Sequence, residues 1–93
     1  MIRLAPAAVA DLAGTLDHIA NDSTAAAETL RVQVFERLAS LERRDFEGAQ
    51  TMLRSGLRVR RWYVHPFWIY YRRHETGIDV LRVYHHAREP IGR

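Results

Sequence analysis

The chain has 93 residues, of which 47% are hydrophobic and 27% charged, a composition typical of one folded domain and not of a disordered segment. Cys is absent, which excludes disulfide scaffolds, zinc sites built on thiolates and cysteine nucleophiles. The apolar runs fall well short of the roughly 20 residues that a membrane-spanning helix needs, and the opening residues, interrupted by Pro6 and Asp11, do not resemble a signal peptide. We therefore expect a single domain over residues 1–93, located in the cytoplasm.

Charge is distributed unevenly along the chain. The net charge is +3, and all fourteen basic residues are Arg. Residues 1–42 contain three Arg and six acidic residues, whereas residues 43–93 contain eleven Arg and five acidic residues. Genome composition can explain the absence of Lys, but it does not explain this asymmetry. A basic half beside an acidic half indicates an anionic partner, either nucleic acid or an acidic protein segment.

The first half of the sequence predicts one short strand and two helices. Residues 2–4 form an extended segment that ends before Pro6, a residue that suits the first turn of a helix. Apolar residues then recur at helical spacing, which predicts helices over residues 6–20 and 24–44. The recurring positions are Val9, Leu12, Leu16 and Ile19, and then Ala27, Leu30, Val34, Leu38 and Leu41. Because a turn of about four residues with several candidate N-caps joins them, the helices should form an antiparallel hairpin.

The second half of the sequence predicts strands. Residues 45–55 show no clear period, and we interpret them as a connecting loop. After Gly56 the pattern changes to period two, which predicts strands over residues 57–64, 67–73 and 78–85, with turns between them.

The last predicted strand should lie inside the sheet. Its apolar residues fall on both faces, with Leu81 and Val83 on one and Ile78 and Val80 on the other, and a strand buried on both sides is usually central. Pairing with the N-terminal strand would provide its second neighbour. The predicted fold is therefore α+β, in the order β-α-α-β-β-β, with a helical hairpin packed on a four-stranded, mainly antiparallel sheet. The residues expected to be mostly buried are Leu12, Leu16, Ile19, Leu30, Val34, Leu38, Leu41, Val80 and Leu81.

Arginine side chains are concentrated on the predicted strands. Arg58, Arg60 and Arg61 lie on one strand, Arg72 and Arg73 end the next, and Arg82 lies on the third. Since adjacent strands bring such side chains within reach of one another, they can form a site for phosphate or for a partner's carboxylates. A solvated face with ion pairs to Glu75 and Asp79 is the alternative.

Aromatic residues accompany these arginines. Trp62, Tyr63, Phe67, Trp68, Tyr70 and Tyr71 lie close together in the sequence. Alternation places Trp62 on one face with Arg60, and Trp68 on one face with Tyr70. One hairpin covers only one face of a sheet, so we expect some rings to be exposed or covered by a partner. Aromatic residues beside Arg typically anchor protein interfaces and can also stack on bases, whereas ordinary core packing is the alternative.

Two histidines end the last strand. His85 and His86 can serve as a general acid and base near a bound phosphate, or they can cap the strand with their rings satisfied by backbone groups. Neighbouring residues on a strand point to opposite faces, and no third ligand follows at a suitable spacing. We therefore expect neither a metal nor another cofactor.

These features together resemble the ParE toxins of the RelE/ParE superfamily, the toxin components of bacterial toxin–antitoxin pairs. The resemblance lies in residues 3–8 with Asp11-Leu12, in residues 56–58 and 69–72, and above all in residues 78–90. That last stretch is an apolar strand with one Arg, followed by His85-His86 and then Arg88-Glu89-Pro90. The resemblance covers essentially the whole chain in order and departs from the family at Ala5, where a serine that caps the first helix is usual.

The resemblance implies one of two activities. ParE-type members poison DNA gyrase by binding it, and RelE-type members cut messenger RNA on the ribosome with basic residues and a Tyr or His. The absence of Lys, Trp68 in the position of an Arg, and the Arg-Glu-Pro tail favour the ParE type. We therefore expect a non-enzymatic gyrase inhibitor that arrests growth and is neutralised by an acidic, ParD-like antitoxin in a hetero-oligomer, with no membrane partner. The alternatives are a ribosome-dependent mRNA endonuclease and a binding protein that has lost its toxicity.

The candidate site residues follow from this resemblance and from the clusters above. The residues expected to bind partners are Arg58, Arg60, Arg61, Trp62, Trp68, Arg82, His85 and Arg88. In the nuclease alternative, the catalytic residues would be Arg61, Arg82, His85 and His86.

Overall fold

Two helices pack on a five-stranded sheet in the computed structural model, which describes residues 1–43 and 47–86. In chain order the elements are β1 (Ile2–Leu4), α1 (Pro6–Asp22), α2 (Thr24–Glu42), β2 (Ala49–Met52), β3 (Arg58–Val64), β4 (Phe67–His74) and β5 (Gly77–His85). The strand order across the sheet is β1-β5-β4-β3-β2, with β1 parallel to β5 and the other neighbours antiparallel. The predicted α+β architecture is confirmed, and β1 lies beside the last strand as expected. Neither helix of the described residues has the length and apolar character needed to cross a membrane.

The sheet has one strand more than the four that we predicted. We interpreted residues 45–55 as a loop, but Ala49–Met52 forms the edge strand β2, antiparallel to β3. This strand is only four residues long and mostly exposed, so its own sequence shows no alternation of buried and exposed side chains. Backbone pairing with β3 makes this segment a strand, and that pairing has no local signature.

The two helices meet at a single residue, Ser23. Its N–H donates to the Ile19 carbonyl at 2.9 Å, and its hydroxyl accepts the Ala26 N–H at 3.1 Å, so it ends α1 and caps α2. Pro6 occupies the first turn of α1, where its missing N–H needs no partner. The predicted hairpin is confirmed, with a connection of one residue in place of about four.

The core lies between the helices and one face of the sheet, which we call the inner face; the opposite face is the outer face. The buried members of the core are Ala8 and Leu12 of α1, Val34, Leu38 and Leu41 of α2, and Phe67, Ile69, Tyr71, Ile78, Val80 and Val83 of the strands. Of the residues expected to be buried, Leu12, Val34, Leu38, Leu41 and Val80 are buried, and Leu16, Ile19, Leu30 and Leu81 are partly buried. Val9, which we placed on the apolar stripe of α1, is exposed because the spacing of four residues puts Ala8, and not Val9, in line with Leu12.

A β-bulge interrupts the pairing of β4 with β5. Tyr70 pairs with Arg82, whereas the next residue, Tyr71, pairs with Val80. Leu81 therefore has no partner in β4, and this extra residue shifts the side-chain alternation of β5 by one position.

The shifted alternation determines which β5 side chains enter the core. Ile78, Val80 and Val83 all lie in the core on the inner face, and Leu81 is only partly buried. Our assignment of Leu81 with Val83 to one face and Ile78 with Val80 to the other is therefore wrong, because strict alternation leaves no place for an unpaired residue. The strand is nevertheless interior, since β1 and β4 flank it.

Asp11 of α1 occupies the edge of β5 that β1 leaves open. The last contact of the β1 segment with β5 is the Ala5 N–H, which donates to the Val80 carbonyl at 2.9 Å. Beyond it, the Asp11 carboxylate accepts the Val83 N–H at 3.0 Å and two N–H groups of Arg82 at 2.8 and 2.9 Å. One carboxylate thus replaces the missing strand and joins α1 to the sheet.

We expect Leu38→Ala to lower the free energy of unfolding by about 2–5 kcal/mol, because Leu38 is fully buried and its truncation leaves a cavity in the core. Urea denaturation followed by circular dichroism measures the loss. Val32→Ala is the matched control, since Val32 lies on the same helix but is 40% exposed, and it should change stability by less than about 0.5 kcal/mol. Equal losses in the two variants would contradict this core.

Candidate functional site

The residues that we predicted to bind partners do not form one surface. The outer face carries Arg61, Trp68 and Arg82. The inner side of the same strands carries Arg58, Arg60, Trp62 and His85. The last of the predicted residues, Arg88, lies outside the described residues. Alternation along β3 separates Arg61 from its neighbour Arg60, and Trp62 packs against the core. The arginines are therefore divided between two surfaces and do not form a single cationic sheet.

Aromatic rings line up across the outer face. Tyr63 of β3 pairs with Trp68 of β4, and Trp68 pairs in turn with Tyr84 of β5. The ring centroids of Tyr63 and Trp68 are 5.0 Å apart. We call Tyr63, Trp68 and Tyr84 the aromatic row. In the next row, Arg61 and Arg82 flank Tyr70, which is fully buried although it lies outside the core beneath the helices.

Two guanidinium groups cover rings of the aromatic row. The guanidinium carbon of Arg61 lies 4.5 Å from the ring centroid of Trp68, and that of Arg82 lies 4.6 Å from the ring centroid of Tyr84. Trp68 and Tyr84 are consequently half-buried, whereas Tyr63 remains 39% exposed. The expectation that the outer rings are exposed or covered by a partner is thus only partly met, because the chain's own arginines cover part of them.

The outer face is less cationic than its arginine content suggests. Arg82 pairs with Asp11, and this hydrogen bond is the main cause of the raised pKa of Arg82. Our alternative for the arginines named Glu75 and Asp79 as ion-pair partners. In the structure Asp79 lies 3.2 Å from the ring Nε2 of His74, and the carboxylate that neutralises Arg82 comes from α1.

The inner side carries an open groove that the helices do not cover. It encloses about 490 Å³, and its lining comes from β2, β3 and β4. We call it the basic groove and define it by those lining residues that alternate toward the inner side, which are Gln50, Met52, Arg58, Arg60, Tyr71 and Arg73. Thr51, Val59 and Arg72, which alternate toward the outer face, complete the lining. A groove with this volume and several cations can accept an anionic ligand or an acidic peptide side chain.

A hydrogen-bonded network closes one end of the basic groove. Arg73 donates to both carboxylate oxygens of Glu47 at 2.9 Å and to the Leu41 carbonyl, at the end of α2, at 2.7 Å. The Tyr71 hydroxyl donates to Glu47 at 2.7 Å and accepts the Gly48 N–H at 2.7 Å. The bond from Arg73 is the main cause that lowers the pKa of Glu47 to about 2, and burial raises the pKa of Tyr71 to about 12.

Gly48 lies where this network meets β2. A β-carbon at this position would collide with the backbone carbonyl of Arg61, so the close approach of the two segments requires glycine. The Gly48 carbonyl accepts a hydrogen bond from Nη1 of Arg60 at 2.7 Å. The Arg60 side chain therefore runs from β3 to the start of β2, across the floor of the basic groove.

Three histidines gather at the far end of the sheet. The ring of His86 stacks on that of His85, with centroids 4.6 Å apart, and on that of His65 at 5.6 Å. We predicted that His85 and His86 point to opposite faces, which is wrong because β5 ends at His85 and the His86 N–H turns to donate to the Pro66 carbonyl at 2.8 Å. The Tyr63 hydroxyl is 2.7 Å from Nδ1 of His65. Within residues 1–43 and 47–86, no three His, Asp or Glu side chains are placed to hold a metal ion.

The residues named for the nuclease alternative are not brought together. Arg61 and Arg82 lie on the outer face, while His85 lies on the inner side, where its ring meets that of Phe67 edge-on with centroids 6.3 Å apart. Three residues along β5, about 10 Å, separate Arg82 from His85. His86 lies beyond the end of the strand.

Several residues that shape these surfaces were not singled out from the sequence. Asp11 enters the sequence analysis only as an interruption of the opening residues and as part of the family resemblance, Glu47 lies in the segment interpreted as a loop, and Tyr84 is given no role there. A helical acid seven residues past the end of β1 is the one local signal that points to Asp11. The roles of Glu47 and Tyr84 depend on pairings between distant strands, which the sequence does not encode locally.

A protein-family model matches nearly the whole sequence. The model is described as ParE toxin of type II toxin-antitoxin system, parDE, and it matches residues 2–90. No curated protein matches the chain significantly. The matched residues include both helices and all of the strands described above.

We expect the stability contributed by Glu47 to be lost in acid. Its pKa of about 2 in the folded chain lies below the ordinary value of 4.5, so its bonds stabilise the fold above about pH 4.5 and are lost as the pH falls toward 2. Because the Glu47 side chain is 38% exposed, solvent screening limits this contribution to about 1 kcal/mol.

Urea denaturation of Glu47→Gln at several pH values tests this expectation. The variant should be less stable than the parent chain near pH 7, and the two should become equally stable near pH 2. Glu36→Gln, at an exposed position on α2, is the control and should match the parent chain throughout. If Glu47→Gln were less stable than the parent chain by the same free energy at every pH, the expected loss of the Glu47 contribution in acid would be wrong.

Proposed function

The chain belongs to the ParE toxin family and is the toxin component of a type II toxin–antitoxin system; on this premise, we propose that it arrests growth by binding DNA gyrase and catalyses no reaction of its own. This is the ParE-type activity that the sequence resemblance implies. The observation that carries the proposal is the separation of the residues that a nuclease would need. Arg82 and His85 lie on opposite sides of the sheet, about 10 Å apart along β5.

Cleavage of RNA places stricter demands on geometry than binding does. A general acid and a general base must each lie within about 3 Å of the atoms between which they transfer a proton. Here the Arg82 guanidinium is engaged by Asp11, and the rings of His85 and His86 are stacked on one another. This arrangement supports stoichiometric binding, which requires contact area and no acid–base pair.

The aromatic row is the surface that we assign to gyrase. Trp, Tyr and Arg are the residues most often found at the energetic centre of protein interfaces. Trp68 lies in the middle of the row, between Tyr63 and Tyr84, with the Arg61 guanidinium over its ring. A rigid, half-buried ring beside a cation loses little conformational entropy on binding, which favours affinity.

Cleavage of ribosome-bound messenger RNA is the second candidate, and the histidine cluster is the observation that favours it. His65, His85 and His86 lie together beside the Tyr63 hydroxyl, so four groups able to transfer protons occupy one end of the sheet. The two candidates differ in which substitutions abolish toxicity.

We expect Trp68→Ala to weaken inhibition of gyrase supercoiling by about 30-fold, the effect of removing a hot-spot side chain worth about 2 kcal/mol. His86→Ala, at an exposed position just beyond the end of β5, should change inhibition by less than about threefold. The assay measures the concentration of purified chain that halves supercoiling at fixed gyrase concentration, and urea denaturation of each variant controls for loss of folding. Inhibition should saturate at a stoichiometric ratio.

Growth arrest in cells provides the matching readout. Under this proposal, arrest coincides with a DNA-damage response and persists in His85→Ala and His86→Ala. Codon-specific cuts in ribosome-bound message, abolished by His85→Ala and unaccompanied by DNA damage, would overturn the gyrase proposal and favour the nuclease, whose acid or base is typically worth about 10²–10⁴-fold in rate.

A type II toxin is paired with an antitoxin, and we propose that the antitoxin of this chain is acidic and ParD-like and forms a hetero-oligomer with it in the cytoplasm. Support comes from the excess of eleven Arg over five acidic residues in residues 43–93. Opposite charge accelerates encounter, whereas apolar burial supplies most of the affinity.

We expect the rate of association with the antitoxin to fall about tenfold or more between roughly 50 and 500 mM NaCl, because salt screens long-range attraction. The dissociation rate should change by less than about threefold. Stopped-flow or surface-binding kinetics at several salt concentrations measure both rates. An association rate that is independent of salt would contradict an acidic antitoxin.

A further inference from the structure

We propose that Thr76 is a site of covalent modification: its hydroxyl, activated by His74 and oriented through Asp79, accepts the acyl group of a small anionic donor of the acyl phosphate class. The three residues lie at the β4–β5 hairpin, at the end of the outer face away from the aromatic row. One acyl group is transferred per chain without turnover, so the inference is independent of the proposed binding of gyrase.

A chain of hydrogen bonds joins the three side chains. The Thr76 hydroxyl lies 3.0 Å from Nδ1 of His74, and Nε2 of the same ring lies 3.2 Å from a carboxylate oxygen of Asp79. An ionised carboxylate only accepts, so a neutral His74 ring donates from Nε2 to Asp79 and keeps Nδ1 as the acceptor of the Thr76 O–H. A hydroxyl beside a base that a third group orients is the arrangement of activated nucleophiles.

The backbone beside Thr76 is held by the segment that leads into β1. The Ile78 N–H donates to the Met1 carbonyl at 2.9 Å. Gly77 has a φ of 152°, and a β-carbon at this position would collide with the Met1 carbonyl, so the close approach of the two segments requires glycine. Thr76 is thus fixed next to His74, which reduces the entropy lost when its hydroxyl attacks a bound donor.

Two arginines give this site a preference for anions. Arg3 of β1 and Arg72 of β4 flank Asp79 in the sheet register, one on each side, so all three lie on the outer face. Both arginines are exposed, and within residues 1–43 and 47–86 neither forms an ion pair. These three residues line one pocket of about 380 Å³ with His74 and Thr76. Guanidinium groups bind phosphate in a bidentate geometry, so the phosphate of an acyl phosphate suits this pocket.

The transfer needs no reagent besides the donor. The Thr76 oxygen attacks the carbonyl carbon of the acyl phosphate, and the hydroxyl proton passes to Nδ1 of His74. The bond between the carbonyl carbon and the phosphate oxygen breaks, and its electron pair leaves with the phosphate. That phosphate takes the proton from His74 and departs as hydrogen phosphate, while the guanidinium groups offset its charge. The products are one ester on Thr76 and one inorganic phosphate.

The composition of the chain makes such an ester easy to recognise. The chain contains neither Lys nor Cys, whose amines and thiols are the usual competing acyl acceptors. Thr29 on α2 is an internal control, because it is exposed like Thr76 but makes no side-chain hydrogen bond within the part of the chain that the structure describes. A difference between the two threonines therefore measures activation by His74 and not exposure.

Incubation of the full chain with acetyl phosphate, followed by mass spectrometry of the intact chain and its peptides, tests the inference. We expect one acetyl group on Thr76, removed by alkaline hydroxylamine, which cleaves an ester and leaves an amide at the amino terminus intact. Thr76→Val should abolish this acetylation, whereas Thr76→Ser should retain it and Thr29→Val should match the parent chain. His74→Gln should slow it by about 100-fold, the typical contribution of a general base. Asp79→Asn, which keeps the pair of Thr76 and His74 but no longer fixes the ring, should slow it by about tenfold or more.

Two donors separate the anion preference from the reactivity of Thr76. Arg72→Ala should slow acetylation by acetyl phosphate about tenfold, because it removes a charge-assisted bond to the phosphate. The same variant should react normally with para-nitrophenyl acetate, an activated ester without charge. Arg37→Ala removes an equal charge from an exposed position on α2 and should change neither reaction.

Four outcomes would overturn the inference. They are a parent chain that stays unmodified at Thr76, acetylation of Thr29 as fast as of Thr76, transfer of a phosphoryl group in place of the acetyl group, and unchanged acetylation in folded His74→Gln and Asp79→Asn. The last result would mean that the hydrogen bonds only brace the hairpin turn. Urea denaturation of each variant verifies that it is folded, and Asp79→Asn decides the matter if His74→Gln is not.

Discussion

The bond between Asp11 and β5 is the contact on which the arrangement of this sheet depends. β1 is too short to cover β5, and a buried backbone N–H without a partner would cost about 1–3 kcal/mol. The Asp11 carboxylate satisfies Val83 and Arg82 together, which fixes α1 against the sheet just beyond the β-bulge. By holding the Arg82 guanidinium, it also sets how that group lies over the ring of Tyr84, so a helical residue on one side of the sheet orients the surface on the other.

The two surfaces of the sheet arise from incomplete coverage by the helices. α1 and α2 bury the inner face over β4, β5 and the second half of β3, and the inner side of β2 and the start of β3 is left open as the basic groove. The outer face is instead partly covered by arginines stacked on the aromatic row. A type II toxin is neutralised by an antitoxin, and two chemically different surfaces on a small chain would allow the antitoxin and a target to bind separately. One is an open, cationic edge, and the other is a rigid, aromatic face.

Interactions on the two surfaces differ in physical character. On the basic groove, Glu47, Tyr71 and Arg73 form a closed hydrogen-bonded network, and the remaining cations lie beside exposed backbone edge groups. An anionic partner bound there would be held by charge attraction, so its binding would be sensitive to salt. On the aromatic row, affinity would come from desolvated rings, which tolerate salt and are sensitive to shape.

The sequence by itself determined the helical hairpin, three of the strands, the position of β1 beside β5 and the leucines and valine that the helices contribute to the core, because apolar periodicity and turn residues act locally. Only the tertiary structure decided that residues 49–52 form a strand, that Leu81 is an unpaired bulge residue, and that His86 stacks on His85. Each of these depends on which distant segment lies alongside, and the strand register that sets this contact has no local sequence signal. For the same reason, the sequence identified the arginines and rings as candidate contacts, but it could not assign Arg60 to the groove and Arg61 to the opposite face.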